Sequence, residues 1–144
     1  MSGGPEDFGG SDEGSHYMSQ TAASRLQVQV QTKVYIAAPY EMRDEAIRIK
    51  GLLEGCGYEV TSTWLTTLDE EGDKGARMDL ADVMRANVLL LLNPEEYRRS
   101  GTGGRHCEFM YAWTLGKKVV ILGVRSNIFH HLSDVRVIDK LEDL

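Results

Sequence analysis

The chain has 144 residues, of which 42% are hydrophobic and 26% charged, with a formal net charge of −6. That length and balance suit one globular domain with a core of ordinary size. The acidic charge argues against a surface for polymeric nucleic acid, which needs clustered Lys and Arg to displace counterions from phosphates. No apolar run approaches the roughly 18 to 20 residues of a membrane span, and the N-terminus lacks a basic-then-apolar signal pattern, so a cytoplasmic protein with no membrane partner is expected. Cys56 and Cys107 are too far apart for a CxxC site and are read as free thiols.

Residues 1–24 are rich in Gly, Ser and acids and have no apolar periodicity, which predicts a disordered tail. One α/β domain is expected over 25–144. LQVQVQT (26–32) alternates apolar and polar residues, then KVYIAA (33–38) runs apolar as a buried strand does. Ala46, Ile47, Ile49, Leu52 and Leu53 recur at helical spacing, and Gly55 and Gly57 close that helix. YEVTSTW (58–64) reads as a second strand, and the polar stretch 65–77 as a long functional loop. MDLADVMRA (78–86) is the next helix, NVLLLLN (87–93) a central strand and NPEEYRRSGTGG (93–104) a second polar loop. A helix from about Arg105 precedes the buried strand KKVVILG (117–123), the loop VRSNIFHHLSD (124–134) and the short strand VRVID (135–139).

Apolar strands alternating with helices predict a doubly wound, mainly parallel five-stranded sheet with helices on both faces, a flavodoxin-like or Rossmann-like α/β fold. In such folds ligands bind beyond the carboxyl ends of the strands, so the loops after them are where chemistry is sought.

Glu108 is the residue out of place. In a helix starting near Arg105 it shares a face with Tyr111, Ala112 and Leu115, which sets a carboxylate among apolar neighbours. Helix-start acids complement the dipole, and that alone could account for it. A capping box could not, because the residue three positions earlier is Arg105. An inward carboxylate, shielded from water yet still ionised, suits a nucleophile or a stabiliser of an oxocarbenium-like centre. SGTGG is either a flexible turn or a backbone cradle for phosphate or sugar; it matches neither GxxxxGK[ST] nor GxGxxG. Arg43, Arg98, Arg99 and Arg105 could hold an anion or be solvated surface charges. Asp79 and Asp82 at the start of their helix are explained equally by capping. His106, His130 and His131 form no HxxxH or HExxH, so no metal is expected.

KVYIAAPY with a following Arg, GYEVTSTW, an Asp leading a helix that ends in RAN before VLLLLNP, and GTGGRHCEFMYAWTLGKKVVILG together resemble the nucleoside 2-deoxyribosyltransferase family and its relatives, the deoxynucleoside 5′-monophosphate N-hydrolases. The resemblance covers about residues 33–138. It implies cleavage of an N-glycosidic bond with no cofactor, on a small-molecule nucleoside or nucleotide. It also implies that Glu108 is the nucleophile, Tyr35 orients it, and Asp79, with Asp82 as substitute, assists base protonation. Substrate contacts fall to Arg43, Thr102, Gly103, Gly104 and Asn127. Thr102 stands where the transferases carry an Asp and the hydrolases a Ser, which tilts the reading towards a 5′-phosphate. A homodimer or higher homo-oligomer is implied, with the neighbouring subunit near Ser126, Asn127 and Ser133. Transfer to a second base, hydrolysis, and a non-catalytic nucleotide sensor remain the competing functions.

Overall fold

A computed structural model describes residues 31–67 and 71–144. The predicted tail, and the part of the expected domain before residue 31, lie outside the described residues. Five strands are present: β1 (Lys33–Ala37), β2 (Glu59–Val60), β3 (Val88–Asn93), β4 (Lys118–Gly123) and β5 (Arg136–Ile138). Three helices connect them: α1 (Arg43–Gly55), α2 (Gly72–Arg85) and α3 (Gly104–Thr114). The strands run parallel in the order β2-β1-β3-β4-β5, the doubly wound arrangement expected from the sequence. No helix among the described residues is long and apolar enough to cross a membrane.

Alternation along the strands builds two cores. Val34 and Ile36 face one way and pack with Leu90, Leu92 and the α1 residues Ala46, Ile49 and Leu53. Tyr35 and Ala37 face the other way and pack with Leu89, Leu91, Val83 of α2 and Phe109 and Ala112 of α3. Both faces are therefore covered, which is why the strands are apolar throughout instead of alternating.

Two boundaries differ from expectation. The second strand shrinks to two residues because side chains replace its ladder: Ser62 Oγ accepts from Ile36 N at 2.6 Å, and Trp64 Nε1 donates to Ile36 O at 3.0 Å. The chain then turns into a 3-10 segment, Thr63–Leu65. Helix α2 begins at Gly72, so part of the stretch read as loop is helical. Its first turns lack an apolar stripe and are supported by exposed pairing of Arg77 with Asp73 at 2.8 Å, which hydrophobic periodicity does not register.

The parallel order places a switch between β1 and β3, whose continuations diverge to opposite faces of the sheet. At the end of β4, Gly123 has φ +133°, and a Cβ there would lie 2.1 Å from the Asn93 carbonyl oxygen. The β3 and β4 ends thus approach closer than any side chain permits.

Candidate active site

At the switch point a cleft of about 910 Å³ opens beyond the strand ends. Its walls are the turn after β1, Thr63 and Trp64 after β2, the middle of α2, and the loop that runs into α3. Four acids, Glu41, Glu71, Asp79 and Glu108, line it, and Arg105 is the one cation among its described lining residues.

Glu108 is the fifth residue of α3, one turn deeper than a dipole-complementing acid. The buried stripe of that helix is Arg105, Phe109 and Ala112. Leu115, expected inside, is exposed, because the apolar face follows Phe109 and Glu108 lies at its border with the cleft. Tyr35 reaches Glu108 from β1: its side chain is wholly buried and its hydroxyl donates to Oε2 of Glu108. Burial, and then the Glu108 charge, hold the phenol far above its ordinary range, so it acts as a fixed donor.

Glu108 is not the fully ionised carboxylate that the sequence suggests. Burial pushes it up to about 7, and nearby Asp79 and Asp82 push the same way; only the Tyr35 hydrogen bond opposes them. Asp79, on the cleft-facing side of α2, is also raised, first by burial and then by Asp82. It is the eighth residue of α2 and leads no helix, so the capping explanation for it lapses.

The other candidates separate. Thr102, Gly103 and Gly104 line the cleft. Gly103 precedes α3 at φ 94°, a left-handed conformation that suits glycine, and the N–H groups of Gly103 and Gly104 find no acceptor among the described residues. Asp82 is outside the cleft lining. Its carboxylate accepts from Thr63 N at 3.0 Å, Thr63 Oγ1 at 2.6 Å and Arg85 Nη2 at 2.7 Å, which ties α2 to the turn after β2. Arg43 is outside it too, with Nη2 donating to Leu65 O at 2.9 Å. Asn127 caps the 3-10 turn Ile128–His131, accepting from Phe129 N at 2.9 Å, and is likewise not at the cleft.

Asn93 is not among the residues that the sequence singles out, and Arg105 stands there between an anion holder and a solvated surface charge; the structure buries both. Arg105 is buried and bonded to Asn93, whose amide also donates to Val124 O at 2.7 Å and Ser126 Oγ at 3.0 Å. A polar residue closing the apolar run VLLLLN is the only trace of this hub in the sequence.

No family model and no curated protein matches this sequence. Solved structures do resemble its fold. The CMP N-glycosidase BcmB of Clostridium botulinum is 23% identical over 74% of this chain and 87% of its own, with a TM-score of 0.54. A conserved protein from Enterococcus faecalis V583 is 16% identical over 78% of this chain and 94% of its own, with a TM-score of 0.55. The class defined by the sheet order and these likenesses is the flavodoxin-like α/β fold.

Proposed function

We propose that the protein cleaves the N-glycosidic bond of a nucleoside 5′-monophosphate through a glycosyl-Glu108 intermediate. The observation that carries this reading is the Tyr35–Glu108 hydrogen bond at the wall of a cleft that also holds Asp79. Tyr35 occupies Oε2, which leaves Oε1 of Glu108 to attack C1′ of the sugar. The C1′–N bond then breaks, its electron pair goes to the base nitrogen, and the base takes a proton from Asp79. Water subsequently attacks C1′ from the vacated face while the Asp79 carboxylate accepts its proton, and the Glu108 carboxylate leaves. Two displacements retain the configuration at C1′.

The electrostatics suit this division. Each carboxylate is disfavoured as an anion by burial, and the Asp79 charge further disfavours ionisation of Glu108. A pair that holds one proton supplies both a nucleophile and an acid once that proton resides on Asp79. The 5′-phosphate is favoured by the Thr102 hydroxyl and the unpaired N–H groups of the Gly103–Gly104 turn at the start of α3. The name of the similar structure, a CMP N-glycosidase, accords with a nucleotide substrate.

A second reading, transfer of the sugar to another base as the nucleoside 2-deoxyribosyltransferases do, uses the same half-reaction. The openness of a 910 Å³ cleft to a second base favours it. Incubation of the protein with nucleosides and their monophosphates, ribo and deoxy, with and without a second free base, separates the readings by chromatography. Free base from monophosphates alone means hydrolysis, and new nucleosides mean transfer. Nucleotide binding without turnover would make the domain a sensor. Activity surviving in Glu108→Ala would remove the nucleophile from the proposal.

A further inference from the structure

Arg105 has a burden that its neighbours do not explain. It is 4% exposed, yet arginine is seldom buried without a paired anion. Among the described residues it forms no ion pair. Its guanidinium donates instead to neutral oxygens: the carbonyls of Tyr97 at 3.0 Å, Arg98 at 3.2 Å and Ser100 at 2.5 Å, and Oδ1 of Asn93 at 3.2 Å. Nε is buried without a partner. The residue also sits at the second position of α3, the end where the helix dipole is itself positive. The fold therefore gathers positive potential at one end of an otherwise acidic cleft, offset at a distance by Glu41, which lines the same cleft without forming an ion pair with Arg105.

The geometry of those bonds is equally specific. Three consecutive-turn carbonyls converge on one planar fork, and a Cβ on Gly101 would lie 3.4 Å from Nη1, so the loop is wrapped closely around the guanidinium. The Ser100 carbonyl drawn to Arg105 turns the Gly101 N–H, in the same peptide plane, the other way, and the N–H groups of residues 101–104, which line the cleft, make no backbone hydrogen bond among the described residues. We propose that Arg105 is the positioning residue of a phosphate-reading loop: it gathers the carbonyls of Tyr97, Arg98 and Ser100 behind the loop, and its charge, held in no ion pair within the fold, favours the 5′-phosphate of the substrate. The inference rests on the nucleotide reading above and deepens it. It also orients the substrate, with the phosphate at Arg105 and the base towards Asp79. Lysine would keep the charge but lacks the planar fork that reaches several carbonyls at once.

The test uses Arg105→Met and Arg105→Lys in the full chain, with CMP against cytidine and dCMP against deoxycytidine as paired probes. The readout is the ratio of kcat/KM for monophosphate over nucleoside, in which a general loss of fold or of chemistry cancels. The ratio is expected to fall at least tenfold in Arg105→Met, through KM, and by a smaller factor in Arg105→Lys. A second readout needs no turnover: inorganic phosphate is expected to slow amide hydrogen exchange at 101–105 in the wild type and in neither variant to the same degree. An unchanged ratio in both variants, or equal phosphate protection in all three proteins, overturns the inference. If the wild type cleaves nothing but phosphate protection is present and depends on Arg105, the glycosidase reading fails and the loop assignment stands. If phosphate protects nothing in the wild type, the loop assignment fails whatever the turnover. Should Arg105→Met not fold, Arg105→Lys decides on the same two measurements.

Discussion

Glu108 is held by two opposed effects, and each can be removed separately. Burial raises its folded-state value from 4.5 to about 7, so the folded protein binds this proton more tightly than the unfolded chain does. Below about pH 4.5 both states are protonated and nothing is lost; between 4.5 and 7 stability falls as pH rises; above 7 the full cost is present. That cost is on the order of 3 kcal/mol. Glu108→Gln keeps an acceptor for Tyr35 without the charge. It is expected to abolish turnover yet melt several degrees above wild type at pH 8, with the difference largely gone at pH 4. Equal gains at both pH values in thermal melts would mean that packing, and not ionisation, is responsible.

Among the described residues the Tyr35 hydrogen bond is the one influence that lowers Glu108. Because the reacting pair must keep one proton, to be passed to the base, kcat/KM is expected to fall as pH rises through about 7, where Glu108 gives up the last proton of the pair. Tyr35→Phe removes the lowering influence, so its midpoint lies at higher pH, and the variant loses more activity at pH 6.5 than at pH 8.5. A pH profile with an unmoved midpoint would assign Tyr35 to packing alone.

Helix α2 presents two aspartates with different work, and spacing along the helix separates them. Asp79 lines the cleft, while Asp82, three residues on, is 3% exposed and bonded to Thr63 and Arg85. Asp82→Ala leaves Thr63 N without its acceptor and is expected to cost about 2–3 kcal/mol in denaturant unfolding. Asp79→Ala is expected to cost at least tenfold in kcat with little change in stability. Reversed outcomes would exchange the two roles. The sequence offered both because a helix starting near Met78 puts each in its first turns. The true start at Gly72 rotates that argument away, and exposed charge pairs that extend a helix leave no apolar period to count.

Across the whole molecule the sheet order decides which loops meet. The loops after β1, β2 and β3 close on one cleft, whereas the loop after β4 turns outward and exposes Ile128 at 79% and Phe129 at 51%. Two adjacent apolar side chains at that exposure are where the homo-oligomer implied by the resemblance is expected to form its contact. Sedimentation equilibrium is expected to give a dimer or larger species for the wild type and a monomer for Phe129→Glu; a monomer at all concentrations in the wild type would remove the oligomer from the reading.

Local chemistry along the chain was sufficient for the fold class, because both-face burial makes strands continuously apolar and the intervening helices keep their period. It was sufficient, too, for singling out Glu108, since a carboxylate on an apolar face is visible as a pattern. Roles that depend on one distant partner were not visible. The bond from Tyr35 to Glu108, 73 residues away, was reachable through the family resemblance and not from the local pattern, and nothing in the one-dimensional order says that burial raises that carboxylate to about 7. Nor does it say that Arg43 braces Leu65, that Asp82 is an internal tie, or that Arg105 is enclosed by its own loop. Desolvation and hydrogen bonding act over a few ångströms in space, so only the folded arrangement of strand ends determined which charges face the cleft and which hold it together.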